Sequence, residues 1–122
     1  MPLRTAKLLE DIRDAAQFLI DDTVRETWES YLRDRRLRQS VERGFEVIGE
    51  AMRRLSREEP AAVDRIPAYH KAIGFRNALI HGYDVVDHPT VWLSVQESLP
   101  VLLVEVEQWL REIEVGERGS GT

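Results

Sequence analysis

The chain has 122 residues, of which 43% are apolar and 32% charged, with a formal net charge of −5 and no cysteine. This length predicts one domain with a single hydrophobic core, and the lack of cysteine excludes disulfides and thiolate metal sites. No apolar run reaches the roughly 18 residues of a membrane-spanning helix, and the N-terminal sequence has no export signal. We therefore expect a cytoplasmic globular domain with no membrane partner.

The first three predicted elements are helices, because the apolar residues recur every three or four positions and no strand-like alternation is found. The first helix is expected from about Thr5 to Ile20, with residues 21–23 as its stop and as the N-cap of a short second helix around Trp28 and Tyr31. Asp34 is expected to cap the third helix. Its predicted buried stripe consists of Leu37, Val41, Phe45, Ile48, Met52 and Leu55.

Two glycines interrupt the third predicted helix. Gly44 and Gly49 lie inside it, where each glycine lowers helix stability by about 1 kcal/mol relative to alanine. Their presence suggests close approach of a neighbouring backbone, and a flexible spot in the helix is the simpler alternative.

The remaining elements follow a break at residues 56–67. Pro67 suits the first turn of a fourth helix, which should run to about His81 with Gly82 as its C-cap. A fifth helix is expected after Asp87 or His88, with Pro89 in its first turn and a bend at Pro100. Its predicted buried stripe consists of Val91, Val95, Leu99, Leu102, Val106 and Leu110. Residues 1–115 are thus predicted to form an all-α, five-helix, up-and-down bundle, followed by a disordered tail over residues 116–122.

The polar residues of the fourth predicted helix stand in an otherwise apolar run, "GFRNALIHGYDVVD" at 74–87. Asn77 and His81 are four positions apart and share a face, whereas Arg76 and His81 lie about 140° apart around the helix axis. One helix therefore does not aim both side chains at one small target. Either the two residues are unrelated, or a second copy of the helix completes a site.

These residue types suit RNA cleavage at a 2′-hydroxyl. Histidine can transfer protons near neutral pH, arginine can bind phosphate oxygens through two N–H groups, and asparagine can orient either neighbour. At a helix C-terminus the dipole also favours the imidazolium form of His81. The alternatives are that His81 is a capping or core residue and that Arg76 is paired with Glu50 or Asp84. No cofactor or metal is expected, because His70, His81, His88 and the nearby acids show no spacing typical of a metal site.

Charge is distributed unevenly along the chain. Between Arg33 and Arg57 eight arginines accompany four acids, whereas from Asp84 onward eight acids accompany two arginines. A basic face on an acidic protein can hold a phosphate backbone. The alternative is that these charges only solvate a long helix.

Three blocks of this sequence resemble the HepT family of the HEPN superfamily. "RNALIHGY" (76–83) is similar to its Arg-x4-His-x-Tyr signature, "DRRLRQSVERGFEVIGEAMRRLS" (34–56) resembles its third helix, and "VWLSVQESLPVLL" (91–103) resembles its final helix. The signature shows no departure from the family pattern. Ala68, however, stands where relatives often carry a tryptophan, which puts the packing at the start of the fourth helix in doubt.

The resemblance implies a homodimeric, metal-independent endoribonuclease toxin of a type VII-like toxin–antitoxin system. Its catalytic residues would be Arg76, His81 and Asn77, at a composite site between the two copies. Tyr83 would be the tyrosine that a minimal nucleotidyltransferase antitoxin of the MntA type modifies with AMP. Four arginines of the third helix then become candidates for RNA binding: Arg35, Arg36, Arg38 and Arg43. The alternative is a catalytically silent HEPN module that binds or regulates the nucleotidyltransferase.

Overall fold

The structure is a computed structural model that describes residues 3–82 and 86–120, with the backbone alone for 117–120. It contains α1 (Leu3–Thr23), α2 (Trp28–Arg33), α3 (Arg35–Glu58), α4 (Tyr69–His81), α5 (His88–Leu93) and α6 (Leu99–Ser120). A 3₁₀ turn (Val63–Arg65) precedes α4, and a π-helical turn (Ser94–Ser98) joins α5 to α6 in one uninterrupted helical run. This run is the predicted fifth helix. The described residues include no strand, so the predicted all-α bundle is confirmed.

Helix α3 is central to the bundle. It packs against α1 on one side and α4 on the other, and α1 in turn packs against α6. The predicted α3 stripe is buried throughout, and burying each large apolar side chain contributes roughly 1.5–3 kcal/mol. The largest fully buried side chain is Trp109 of α6. The packing order α4–α3–α1–α6 leaves α4 as an outer layer, supported from within by α3.

The connection between α1 and α2 differs from the predicted one. Helix α1 continues through Thr23, whose hydroxyl donates a hydrogen bond to the Leu19 carbonyl at 2.7 Å. The N-cap of α2 is Thr27, whose hydroxyl accepts from the Ser30 amide at 3.1 Å. Helix α1 thus ends within residues 21–23, as predicted, but at their last residue, and the predicted N-cap there is wrong because α2 is capped by Thr27.

The caps predicted for the later helices are confirmed. The Asp34 carboxylate accepts a hydrogen bond from the Leu37 amide at 3.0 Å at the start of α3. The Asp87 carboxylate likewise accepts from the Thr90 amide at 3.2 Å, with Pro89 in the first turn of α5. Both carboxylates satisfy amides that have no partner within the helix.

Helix α4 begins later than predicted and ends where predicted. Its first residue is Tyr69 and its N-cap is Ala68, so Pro67 lies before the helix and not in its first turn. The 3₁₀ turn takes up the intervening chain and buries Ile66 completely. At the other end, the helix stops at His81 and the amide of Gly82 donates to the Ala78 carbonyl at 2.7 Å.

The π-helical turn ends at Ser98, two residues before Pro100. Proline lacks an amide hydrogen, and its ring collides with the carbonyl four residues earlier in a regular α-helix. A wider π-helical turn at this point removes the collision while the chain stays helical. The predicted bend at Pro100 stays a prediction, and the structure shows a local change of helix type just before this residue.

The predicted close approach of a neighbouring backbone is confirmed at Gly49, whereas Gly44 is approached by a side chain of α1. A Cβ added to Gly44 would lie 2.6 Å from a methyl carbon of Leu19 in α1. At Gly49 it would lie 2.2 Å from the Cβ of Arg76 and 2.8 Å from the carbonyl oxygen of Ala72, both in α4. Gly49 therefore sets how closely α4 can pack against α3.

Helix α6 includes the backbone of residues 116–120, the first part of the predicted disordered tail. Val115 and Gly116 are exposed, so this end of α6 extends away from the core. Disorder of the tail stays a prediction. Within the described part of the chain, none of the helices is both long enough and apolar enough to cross a membrane.

Candidate active site

Helix α4 carries the predicted catalytic residues and is incompletely covered. None of its residues is fully buried, although Ile73, Phe75 and Leu79 are apolar and half-buried. Ile80 is 41% exposed. Because only one face of α4 packs against α3, apolar surface on the other faces remains open to solvent. Such surface is typical of a site for another molecule.

An apolar cleft of about 390 Å³ lies between α4 and the α5–α6 run. Its apolar lining includes Phe45 and Ile48 from α3, Phe75 from α4, and Leu99 and Leu102 from α6. The rings of Phe45 and Phe75 have their centroids 4.9 Å apart at the cleft floor. The described part of the fold leaves this cleft open, next to the helix that carries Arg76.

Arg76 is held in place from two sides. Its Nη2 lies 3.0 Å from Oε2 of Glu50 in α3, and its Nη1 donates a hydrogen bond to Oδ1 of Asn77 at 3.1 Å. The side chain is only 22% exposed, and it emerges from the backbone directly over Gly49. Of the two acids that the sequence offered as partners of Arg76, Glu50 makes the contact and Asp84 lies outside the described residues.

Glu50 is shared by three arginines. Besides Arg76, its carboxylate lies 3.2 Å from Nε of Arg54 and 3.7 Å from Nε of Arg53. Desolvation opposes ionisation of Glu50, but the hydrogen bond from Arg54 and the three positive charges outweigh it and lower its pKa. The resulting contribution to stability is present above the unfolded pKa of about 4.3 and is lost as pH falls through the lower folded-state value.

A groove of about 260 Å³ runs beside Arg76 between α1, α3 and α4. Its cationic lining is Arg43, Arg54 and Arg76, and its acids are Glu50 and Asp11, the latter paired with Lys7. Arg43 and Arg54 are 73% and 65% exposed, so their guanidinium groups can reach a ligand without rearrangement of the core. Exposed arginines along a groove suit a phosphate chain.

His81 and Asn77 lie on the exposed side of α4. Asn77 contacts Arg76 as described, and the ring of His81 makes no hydrogen bond or ion pair with any residue that the structure describes. Arg76 is turned toward α3 while His81 is exposed at the helix end, as expected for side chains about 140° apart around the axis. The structure thus joins Asn77 to Arg76, and it leaves His81 accessible in the last turn.

The four arginines predicted to bind RNA fall into three environments. Arg35 and Arg36 are exposed in the first turn of α3. Arg38 donates to the carbonyl of Leu32 and so ties α3 to the end of α2. Only Arg43 lines the groove beside Arg76, where it also pairs with Glu46 at 3.3 Å.

Two further predictions concern Tyr83 and metals. Tyr83 lies outside the described residues, so its assignment stays a prediction. Over residues 3–82 and 86–120, no three histidine or acidic side chains come together in an arrangement that could hold a metal ion.

Sequence reasoning does not bring Gly49, Glu50 and Arg54 together around Arg76, as the structure does. Glu50 entered only as an optional partner of Arg76, and Arg54 was counted only as part of a basic segment. The available signals were the glycine directly before Glu50 and the arginines three and four residues after it, positions that face one another on a helix.

The profile of the family described as "Ribonuclease HepT-like" matches residues 8–109, which include α3, α4 and the site around Arg76. The match covers most of the chain and agrees with the three sequence blocks that resemble this family. The chain belongs to the ribonuclease HepT-like family, and it is therefore a ribonuclease by class.

Several curated relatives are similar over nearly their whole length. The chain is 31% identical to "Putative RNase MJ1216" of Methanocaldococcus jannaschii, over 98% of this chain and 99% of that protein. It is 31% identical to "Probable ribonuclease HepT" of Thermococcus cleftensis, over 82% of this chain and 90% of that protein. It is 29% identical to "Putative RNase TTE0752" of Caldanaerobacter subterraneus, over 85% and 92%. No solved structure matches significantly.

Proposed function

We propose that this protein is a metal-independent endoribonuclease that cleaves RNA at a composite site between two copies of the chain. The proposal rests on the positions of Arg76 and His81 on α4. Arg76 is oriented by Glu50 and Asn77 beside a groove lined with arginines, and His81 is accessible at the end of the same helix. Membership of a ribonuclease family supports RNA as the substrate.

In the proposed reaction, Arg76 binds the scissile phosphate and His81 of one copy removes the proton from the adjacent 2′-hydroxyl. The 2′-oxygen bonds to phosphorus, and the partner's His81, as imidazolium, protonates the 5′-oxygen as its bond to phosphorus breaks. The products are a cyclic 2′,3′-phosphate and a 5′-hydroxyl. Two histidines across a two-fold axis provide the base and the acid, and no metal is needed.

The surface of α4 supports the proposed homodimer. Its apolar residues are only half-buried, and the cleft lined by Phe75, Leu99 and Leu102 adjoins them. A second copy seated on α4 and the α5–α6 run would cover both features. It would also place a second α4, with its own Arg76 and His81, against the first. The exposed Arg35, Arg36 and Arg43 would then attract the RNA strand toward the site.

The proposed mechanism is tested by digesting RNA with the purified protein and identifying the ends of the products. We expect cyclic 2′,3′-phosphate and 5′-hydroxyl ends, the same rate in EDTA, and a dimer by light scattering at micromolar concentration. Activity that needs a divalent cation, or products with a 5′-phosphate, would point to different chemistry. A monomer that cleaves RNA would contradict the composite site.

We further propose that the protein is a cytoplasmic toxin, paired with an MntA-type nucleotidyltransferase antitoxin that silences it by adding AMP to Tyr83. Tyr83 stands two residues after His81 and directly after the Gly82 cap. Each AMP would add about one negative charge where the RNA phosphate must approach Arg76. At a separation of roughly 4 Å, even a partly screened charge changes phosphate binding by a few kcal/mol.

Changing Tyr83 to phenylalanine tests this modification, because it keeps the ring and removes the acceptor oxygen. We expect the variant to cleave RNA, to gain no AMP mass when incubated with the nucleotidyltransferase and ATP, and to stay toxic when both proteins are expressed. Intact-mass spectrometry measures the modification, with the wild-type chain in parallel as the control. A Tyr83→Phe chain that is still modified and silenced would place the acceptor at another residue.

A catalytically silent binding module is the second candidate, and one contact favours it. Arg76 forms an ion pair with Glu50, which is the contact expected of an arginine whose role is only structural. Such a module would bind the nucleotidyltransferase through α4 and leave RNA intact. The RNA digestion above separates the two functions, because a silent module gives no products at any concentration.

A further inference from the structure

Glu50 connects the proposed catalytic arginine to the cationic groove. Its Oε2 lies 3.0 Å from Nη2 of Arg76, where α3 packs against α4. Its Oε1 accepts a hydrogen bond from Nε of Arg54 at 3.2 Å. The carboxylate is 27% exposed, so water competes with these contacts only in part. One acid thus contacts an arginine from each of two helices.

The contacts of Arg76 constrain its guanidinium and leave donors for a ligand. Glu50 forms an ion pair with Nη2 and Asn77 accepts a hydrogen bond from Nη1, so both terminal nitrogens of the group are contacted by the protein. Each terminal nitrogen of a guanidinium carries two N–H groups, so each keeps one further donor. A phosphate needs two such donors on one edge for bidentate binding.

The charge around Glu50 argues for more than a structural ion pair. Arg53, Arg54 and Arg76 together carry three positive charges against the single charge of Glu50, which leaves a surplus of two. The carboxylate therefore orders the arginines without cancelling their charge. The absence of a side chain at Gly49 lets Arg76 approach closely enough for the contact.

We propose that Glu50 is a positioning residue, which holds the guanidinium of Arg76 in the orientation that binds the scissile phosphate. This inference rests on the proposed function, because it assigns to Glu50 a role in that same site. Glu50 acts through Arg76 and does not itself touch RNA. Its effect should therefore appear in kcat more than in KM, and it should disappear when Arg76 is absent.

The test compares RNA cleavage by Glu50→Gln with cleavage by a matched control, Glu46→Gln. Glu46 lies one turn earlier on α3, is equally 27% exposed, and pairs with Arg43 at 3.3 Å. We expect Glu50→Gln to lower kcat by about 10- to 100-fold with little change in KM, because the neutral amide keeps the shape of the side chain and removes the ion pair that orients Arg76. Glu46→Gln should keep wild-type kcat.

A double substitution separates positioning from a general effect on folding. Arg76→Ala with Glu50→Gln should be no slower than Arg76→Ala alone, because Glu50 acts through Arg76. Glu50→Asp, which keeps the charge on a shorter side chain, should restore part of the activity that Glu50→Gln loses. Thermal unfolding and helical circular dichroism of each variant show whether the fold is retained.

The outcomes distinguish this inference from the function it rests on. If the wild type cleaves RNA and Arg76→Ala does not, but Glu50→Gln is fully active, the positioning role alone is overturned. The positioning role is also overturned if Glu50→Asp and Glu50→Gln are equally impaired at equal thermal stability. It is overturned as well if Glu50→Gln slows cleavage in a chain that already carries Arg76→Ala by the same factor as in the wild type. If the wild-type protein does not cleave RNA, both proposals are overturned.

Discussion

Substitution of His81 or Arg76 by alanine is expected to lower RNA cleavage by about 10²- to 10⁴-fold, the usual effect of losing a proton-transfer group or a main charge-stabilising group. His81 is exposed and has no partner among the described residues, so its loss should leave stability nearly unchanged. Arg76→Ala also removes an ion pair with Glu50, so a modest fall in stability is expected. Single-turnover cleavage and thermal unfolding measure the two effects separately.

Refolding the wild-type chain together with an excess of His81→Ala gives a sharper test of the composite site. A mixed dimer then holds one His81, whereas the proposed reaction needs one His81 as the base and one as the acid. We expect the cleavage rate to fall with the square of the wild-type fraction at constant total chain concentration. Cleavage by either alanine variant at the wild-type rate would assign the activity to other residues, and a rate that falls only in proportion to the wild-type fraction would contradict a site that needs both histidines.

Gly49→Ala is expected to impair both stability and cleavage. The added Cβ would lie 2.2 Å from the Cβ of Arg76 and 2.8 Å from a backbone carbonyl, and neither atom can move away by side-chain rotation. Overpacking of this kind costs about 1–3 kcal/mol, more than the roughly 1 kcal/mol that alanine adds to helix propensity. Helix α4 must shift, and Arg76 shifts with it. Thermal unfolding and RNA cleavage report the two effects.

Gly74→Ala is the matched control for stability. Gly74 lies in the middle of α4, and a Cβ added there meets no described atom within 4 Å. Helix propensity should therefore stabilise this variant by about 0.5–1 kcal/mol. If Gly49→Ala were as stable as Gly74→Ala and cleaved RNA normally, the close approach of α4 to α3 would not matter for the site.

The parts of the fold that could be predicted from sequence depend on local interactions. Asp34 and Asp87 cap helices through amides only three residues away, and the α3 stripe follows from helical periodicity. Helix α1 is a few residues longer than predicted, and α4 begins later than predicted. Aspartates at residues 21 and 22 indicated a stop, yet the helix continues to bury Thr23, and a 3₁₀ turn before α4 buries Ile66. Tertiary burial decided both boundaries.

In the candidate site, too, the arrangement within one helix could be predicted from sequence, and the contact between two helices could not. The spacing of Arg76, Asn77 and His81 is a property of one helix, so their separation around the axis could be worked out from the sequence. The contact between Arg76 and Glu50 joins two helices, and its residues are 26 positions apart. Periodicity places each residue on its own helix but does not say which helices meet. That information came from packing, through the close approach at Gly49.

Because α4 is the outer layer of the bundle, we expect RNA cleavage to depend steeply on the concentration of the protein. A helix with no fully buried residue opens locally at lower free energy than the helices of the core. If a second copy supplies the missing cover, the ordered site exists only in the dimer, and its population follows mass action. Below the dimer dissociation constant, activity then rises with the square of the concentration of free chain. A cell would tolerate a low copy number and respond steeply to a modest excess.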